Sequence, residues 1–284
     1  MTFPGIPTKA NIAQQPAPTV PPDFDIKQVY QAKSLSPNYS VLLTGEPGVG
    51  KTRLLGTSRL PLLVYSFDPK GVTVLHKVFP EFLKSGMIQY IPYWNEDYRA
   101  PSMYRKWERD WETHLSSGYL AQFGTVAIDS FTTWIEASAN AWLEEKNKTR
   151  KGGIIDHLAQ GDYPGLYNLT RNMIKRTSAC NVDFILTAHL EPEENKLTGE
   201  IRYVLACYKG LKTIIPPLFA EKWVMGKRAT AEGAEYSILT NNKGLYSAST
   251  QIGAGVFKRE EEPDIKKLLE NAGFSAKDKP AFWK

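Results

Sequence analysis

The sequence predicts an α/β fold, a mainly parallel central sheet flanked by helices with an antiparallel C-terminal extension. Three observations carry that expectation. Short apolar strings, the length of buried strands, alternate with segments of helical periodicity over most of the chain. The first of them, YSVLLTG from Tyr39, runs directly into the glycine loop GEPGVGKT. After Gly199 the strings shorten and turn residues separate them, which is a hairpin pattern.

The 284 residues suit one large domain, or one domain with modest additions, and can bury a substantial core. Cys180 and Cys207 lie within apolar strings and lack metal-ligand spacing, so they read as buried thiols in a reducing compartment. No cationic stretch followed by an apolar run opens the chain, and no run is long enough to cross a bilayer. The expectation is a soluble cytoplasmic protein with no membrane partner. The formal charge is +5, and Lys196 to Arg228 alone carries seven Lys/Arg against two Glu, so the basic excess is concentrated in one segment.

Residues 1–37 read as a flexible arm, with six prolines before Asp23 and a possible short helix from Asp23 to Pro37. Residues 38–250 read as the core containing the glycine loop, and 251–284 as a helical tail. Within the core, Thr52 to Arg59 follows the loop as a helix. LPLLVYSF is a second strand ending at Asp68, the segment PKGVTVLHKVFPEFLKSG returns as a short helix, and MIQYIPY is a short strand. Arg99 to Leu120 places Tyr104, Trp107 and Trp111 at helical spacing, as a packing stripe. FGTVAIDS is a strand with an acid at its carboxyl end, followed by the helix FTTWIEASANAWLEEKNK and a charged, glycine-containing stretch expected to be a mobile insertion. A helix from Tyr163 to Thr177 leads to the strand VDFILTAH. The later strings EIRYVLACYKG, EKWVMGKR and EYSILTNN read as hairpin strands. In EPDIKKLLENAGF, proline near the start and Gly273 near the stop bracket a final helix.

The loop Gly45, Glu46, Pro47, Gly48, Val49, Gly50, Lys51, Thr52 matches GxxxxGKT, with Arg53 following. Gly45 lets the strand turn, while Gly48 and Gly50 let backbone N–H groups approach phosphates. The helix beginning near Lys51 adds its dipole, Lys51 offers a cation to the β and γ phosphates, and the Thr52 hydroxyl can complete a magnesium shell. ATP and Mg2+ are the expected cofactors. Asp129, at the carboxyl edge of a buried strand, is the expected metal-side acid, and Ser130 either joins that shell or caps the next helix. Asp68 is the carboxylate nearest to an in-line water, with a helix cap or an outer magnesium contact as its other roles. Glu46 fits a base less well, because its side chain is expected to point outward. His189 ends its strand where it can sense the terminal phosphate and report to the segment that follows.

Together these residues resemble the RecA-like P-loop ATPases, and more narrowly the bacteriophage AAA-type ATP-binding proteins that include the Sak4-like single-strand annealing group. The resemblance rests on GEPGVGKT, YSFDPKG, VAIDSFTTW, LTAHLEPEENKLTGE, YKGLKTIIPPLFAEKWVM and DIKKLLENAGF, and spans about Tyr39 to Phe274. In such proteins the strand ending at Asp68 carries an acidic pair separated by one residue. Here the second position is Lys70. The resemblance implies that the stretch Glu191 to Glu200 is a DNA-facing loop, though its opening is acidic. Lys196, Arg202, Lys209 and Lys212 are the candidate phosphate-backbone contacts. It also implies a homo-oligomer, ring or filament, in which a neighbour's cation completes the site. Lys209, Lys212, Lys227, Arg228 and Lys243 are the possible donors.

The expected function is therefore an ATP-dependent single-stranded DNA-binding or annealing protein in phage-type recombination, replication or repair, with a possible protein partner from those processes. The alternatives are an AAA-like protein-remodelling or assembly ATPase, a noncatalytic interaction protein regulated by ATP, and a small-molecule kinase.

Overall fold

The computed structural model describes residues 38–283 apart from 70, 96, 232 and 254. The arm expected over residues 1–37 and Lys70 lie outside the described residues.

The chain runs β1 (Ser40–Gly45), α1 (Lys51–Leu55), β2 (Leu62–Ser66), α2 (Val72–Val78), α3 (Pro80–Lys84), β3 (Ile88–Pro92) and α4 (Ser102–Ser116). It continues through β4 (Thr125–Asp129), α5 (Phe131–Thr149), α6 (Tyr163–Ser178), β5 (Asp183–Glu194) and β6 (Ile201–Leu205). The last elements are α7 (Leu211–Ile214), β7 (Glu221–Thr230), β8 (Gly233–Leu239), β9 (Ser249–Thr250), β10 (Glu260–Glu261) and α8 (Ile265–Asn271). The sheet order is β10-β8-β7-β1-β5-β4-β2-β3, with β6 paired to the outer part of β5 and β9 to β7. From β3 to β7 every neighbouring pair is parallel, which puts the carboxyl ends of β1, β2, β4 and β5 on one edge. This is the α/β architecture of the RecA-like P-loop fold, and the antiparallel part is confined to the late strands.

Alternation along the strands divides the core into two layers. Leu42, Leu63, Tyr65, Ile128 and Leu186 face α4, α5 and α6, where Trp107 and Trp134 meet edge to face at 5.5 Å. Tyr104, Trp107 and Trp111 are all buried there. Val41, Leu43, Leu62, Val64 and Ile185 face the other way, onto Leu54 of α1, Leu75 of α2, and Leu268 and Leu269 of α8. The Asp264 side chain caps α8 by accepting from Lys267 N–H at 3.2 Å.

Four features differ from the sequence expectation. The helix after the glycine loop ends at Leu55 and does not reach Arg59, because the Thr57 and Ser58 hydroxyls bond back to Leu54 O and Leu55 O and close it. β5 runs on to Glu194, since residues 190–194 gain a partner in β6, so the expected DNA-facing loop is a β-hairpin. The string EKWVMGKR is antiparallel to β8 and, at its start, to the short β9. Toward the core β7 runs parallel to β1, with Val41 opposite Glu221 and Thr44 opposite Val224, because the crossover through α7 returns the chain to the amino edge first. The stretch expected to be a mobile insertion is irregular, but Asn147 bonds both N–H and C=O of Ile155, and Lys146 holds Asp162 at 2.7 Å.

Candidate active site

The glycine loop joins β1 to α1 at the sheet's carboxyl edge. Gly50 sits at φ +94°, a left-handed conformation that glycine adopts without strain. A side chain on Gly45 would fall 2.8 Å from Met225 O of β7, so that glycine is fixed by close backbone approach. Lys51 is buried, and its Nζ donates to Gly45 O at 2.8 Å and Glu46 O at 3.0 Å. Burial pushes its amine down to about 8, against the opposing pull of Asp129, Asp68 and Glu46.

Thr52 Oγ1 donates to Asp129 Oδ2 at 2.7 Å, and Thr187 Oγ1 of β5 donates to Asp129 Oδ1 at 2.5 Å. Asp129 is fully enclosed. Burial, then the charge of Asp68, raise its carboxyl above the ordinary range, against the two hydroxyls and Lys51. A hydroxyl and a buried carboxylate are hard oxygen donors, which fit magnesium. Asp129 and Asp68 face one lysine, so the cluster is one positive charge short, and a divalent cation would relieve that.

Asp68 follows β2. Its Oδ1 accepts from Ser130 Oγ at 2.9 Å and Thr133 Oγ1 at 2.6 Å, both at the start of α5. Burial raises its carboxyl, but the His189 imidazole and the two hydroxyls outweigh this and hold it below the ordinary range. Ser130 thus donates to Asp68, and its side chain accepts from no N–H of α5. His189 stands between the two groups. Its Nδ1 is 3.1 Å from Lys51 Nζ, a donor, which makes Nδ1 the acceptor and puts the ring N–H on Nε2, 3.8 Å from Asp68 Oδ2. Its backbone N–H donates to Thr132 Oγ1 at 3.0 Å.

The structure thus gathers Lys51, Thr52, Asp68, Asp129 and His189 at one edge, and with them Thr132, Thr133 and Thr187, which sequence reading did not single out. Thr187 shares a strand face with His189, and Thr132 and Thr133 open α5, so strand alternation and helix start were the available signals. Glu46 turns away from the cluster, accepting from Tyr246 Oη at 3.3 Å, and Arg53 is exposed on α1.

The basic candidates lie elsewhere. Lys196 is in the β5–β6 turn, Arg202 on β6 stands opposite Glu193, and Lys209 precedes α7. Lys212 Nζ is bound by Glu193 at 2.7 Å and Glu191 at 3.1 Å. Of the possible neighbour-directed cations, Arg228 pairs with Glu235 at 2.6 Å, Lys243 pairs with Glu260, and Lys227 lies over the Tyr236 ring. No helix among the described residues is long and apolar enough to cross a membrane.

Residues 37–246 match a protein-family model described as an AAA domain. Among solved structures, the chain is similar to the flagellar accessory protein FlaH from Methanocaldococcus jannaschii, at 13% identity over 78% of this chain and 83% of that one, with a TM-score of 0.42. It is also similar to a KaiC-like protein from the hyperthermophilic archaeon Pyrococcus horikoshii OT3, at 12% identity over 71% and 77%, with a TM-score of 0.39. No curated protein matches the chain.

Proposed function

The chain belongs to the AAA domain family, and from that premise we propose that it is a magnesium-dependent ATPase which passes its nucleotide state to a macromolecular partner through the β5–β6 hairpin. The observation that carries this reading is the convergence of Lys51, Thr52, Asp129, Asp68 and His189 where four parallel strands end. Backbone N–H groups of Gly48, Val49, Gly50, Lys51 and Thr52 would cradle the phosphates, and Lys51 would meet charge developing on the terminal one. Thr52 and Asp129 would hold magnesium, which supplies charge neutralisation on the phosphate oxygens. Asp68, oriented by Ser130 and Thr133, would polarise the attacking water. His189 contacts both Lys51 and Asp68 and is the last residue of β5 paired to β1 before the hairpin begins, so it is the natural reporter.

The partner reading we favour is the assembly or remodelling of protein. Glu191, Glu193 and Glu194 line one hairpin strand, and the first two neutralise Lys212, which weakens the hairpin as a site for a polyanion. Single-stranded DNA annealing of the Sak4-like kind is the second reading, resting on Lys196, Arg202, Lys209 and the basic excess around them. A homo-oligomer completed by Lys227, Arg228 or Lys243 of an adjacent copy belongs to either. Phosphate release by the purified chain with no addition, single-stranded DNA, double-stranded DNA and RNA, alongside a Lys51→Ala control, tests these points. No magnesium-dependent release above that control removes the enzyme reading and leaves an ATP-regulated binding protein. Stimulation by single-stranded DNA alone selects the second partner. Particle mass with and without nucleotide tests the oligomer.

A further inference from the structure

The strand order fixes which way a nucleotide must lie. His189, Asp129 and Asp68, the groups suited to the terminal phosphate, stand on β5, on β4 and just after β2, all on one side of β1. A triphosphate held by the loop with its γ end toward them leaves its base on the other side, over β7 and β8.

Two of the cavities that open there border the glycine loop. The larger, of about 590 Å³, is walled by charged groups that include Lys227, Arg228, Lys243, Glu46 and Glu260. Several of these are already paired with one another or with Glu235, and its one aromatic ring among the described residues, Tyr246, is already stacked on Tyr203 with its hydroxyl donating to Glu46. The smaller, of about 340 Å³, lies against the end of the glycine loop that leads into α1. Gly50, Arg53, Phe79, Met225, Tyr236 and Pro263 line it. A Cβ on Gly50 would stand 3.5 Å from Met225 Cε and 3.6 Å from Tyr236 Cδ1, so the bare glycine backbone borders the aromatic ring directly. This brings an aromatic ring, with Lys227 over it, directly beside the end of the phosphate-binding loop.

The slot offers stacking but little to read with. Among the described residues that line it, none is Asn, Gln, Asp or Glu, the side chains that tell a 6-amino from a 6-oxo purine. The Thr57 hydroxyl is committed, donating to Leu54 O at 2.8 Å and accepting from Ile265 N–H at 2.9 Å. Arg53 is a donor only, and the purine N7 it can reach is an acceptor common to adenine and guanine.

We infer that the nucleobase stacks on Tyr236 in the slot between α1 and the β7–β8 hairpin, unread along its hydrogen-bonding edge, so that the site takes adenine and guanine triphosphates with similar affinity. This rests on the phosphate-loop reading of the site, and tripolyphosphate, which has phosphates but no base, separates the two. Calorimetric titration of the full chain with magnesium and non-hydrolysable ATP or GTP analogues is expected to give affinities within about fivefold of each other, since no side-chain amide or carboxylate among the described residues lines the pocket to reject either base. Tyr236→Ala is expected to weaken both analogues by about tenfold, the loss of one base–aromatic stack. It should leave inorganic tripolyphosphate binding unchanged, which also reports that the variant is folded. Tyr236→Phe keeps the ring and should keep both affinities. A hundredfold preference for one purine, unchanged analogue binding in Tyr236→Ala, or an equal loss for tripolyphosphate overturns the inference. Failure of the wild-type chain to bind any of the three removes the phosphate-loop reading beneath it.

Discussion

At the amino edge of the sheet Arg59 meets Asp183, and at the carboxyl edge Lys51 meets Asp129 and Asp68. Both edges bury a cation beside carboxylates, and they satisfy them differently. Arg59 Nε donates to Asp183 Oδ2 at 2.5 Å and a second guanidinium nitrogen pairs with Oδ1, which also accepts from Tyr39 N–H at 3.2 Å. The Thr125 hydroxyl holds the Arg59 carbonyl at 2.8 Å, and Lys279 of the C-terminal segment bonds Ala121 O and Asn181 O beside them. That cluster is closed, its acid bonded directly by its cation, with Lys279 and Asp278 adding opposite charges beside them. At the other edge one amine serves two acids and bonds mainly to carbonyls of its own loop. A charge set that is complete holds a fold together, whereas one left incomplete is suited to a ligand.

The largest effect expected from this contrast is on stability. Arg59→Met strands a buried Asp183 and should cost about 3–5 kcal/mol in urea unfolding. Lys51→Met should change it by less than about 1 kcal/mol, because the amine is held against its own desolvation. Equal costs would break the comparison. In turnover the ranking reverses. Lys51→Ala and Asp129→Asn are each expected to lower phosphate release by about 10²–10³-fold, the size of one preorganised charge contact, with Arg59→Lys close to wild type once folded. Removing magnesium with EDTA should abolish turnover without moving the nucleotide-free unfolding midpoint, since no cation is needed at the closed edge. Asp68→Asn should lower turnover by about 10²-fold, as loss of a positioned base does, while Thr133→Val, which removes only one of its two hydroxyl partners, should cost less. A small effect belongs to the hairpin surface. Lys212→Ala should shift unfolding by about 1 kcal/mol, since the lysine is largely covered but both its glutamate partners are exposed.

The two edges were also unequally legible. Gly45 to Thr52 is a contiguous pattern, and Asp129 announces itself at the end of an apolar string, so the carboxyl edge was visible wherever local spacing encodes it. The pair Arg59–Asp183 was not, because it joins residues 124 apart in unremarkable contexts. Thr133 and Thr187 were missed because a hydroxyl in a strand or early helix turn carries no spacing signal of its own. The parallel setting of β7 depends on a crossover, and no periodicity within EKWVMGKR records the direction from which the chain arrives. Tyr236 meets Gly50 only because β8 folds back over β7.

One strand connects all of this. β5 begins at Asp183 in the closed pair, bears Thr187 against Asp129, and leaves its partner β1 at His189, after which only β6 flanks it. It is a rod clamped at the heel with a fulcrum at the histidine. The arm from His189 to Asn195, held from the side by Lys212 through Glu191 and Glu193, is about 20 Å long at 3.3 Å per residue, so a bend of about 10° at the fulcrum would sweep the tip through about 3.5 Å. The tip carries Leu197, 96% exposed, and a displacement of that size is enough to seat or unseat one apolar side chain in another molecule.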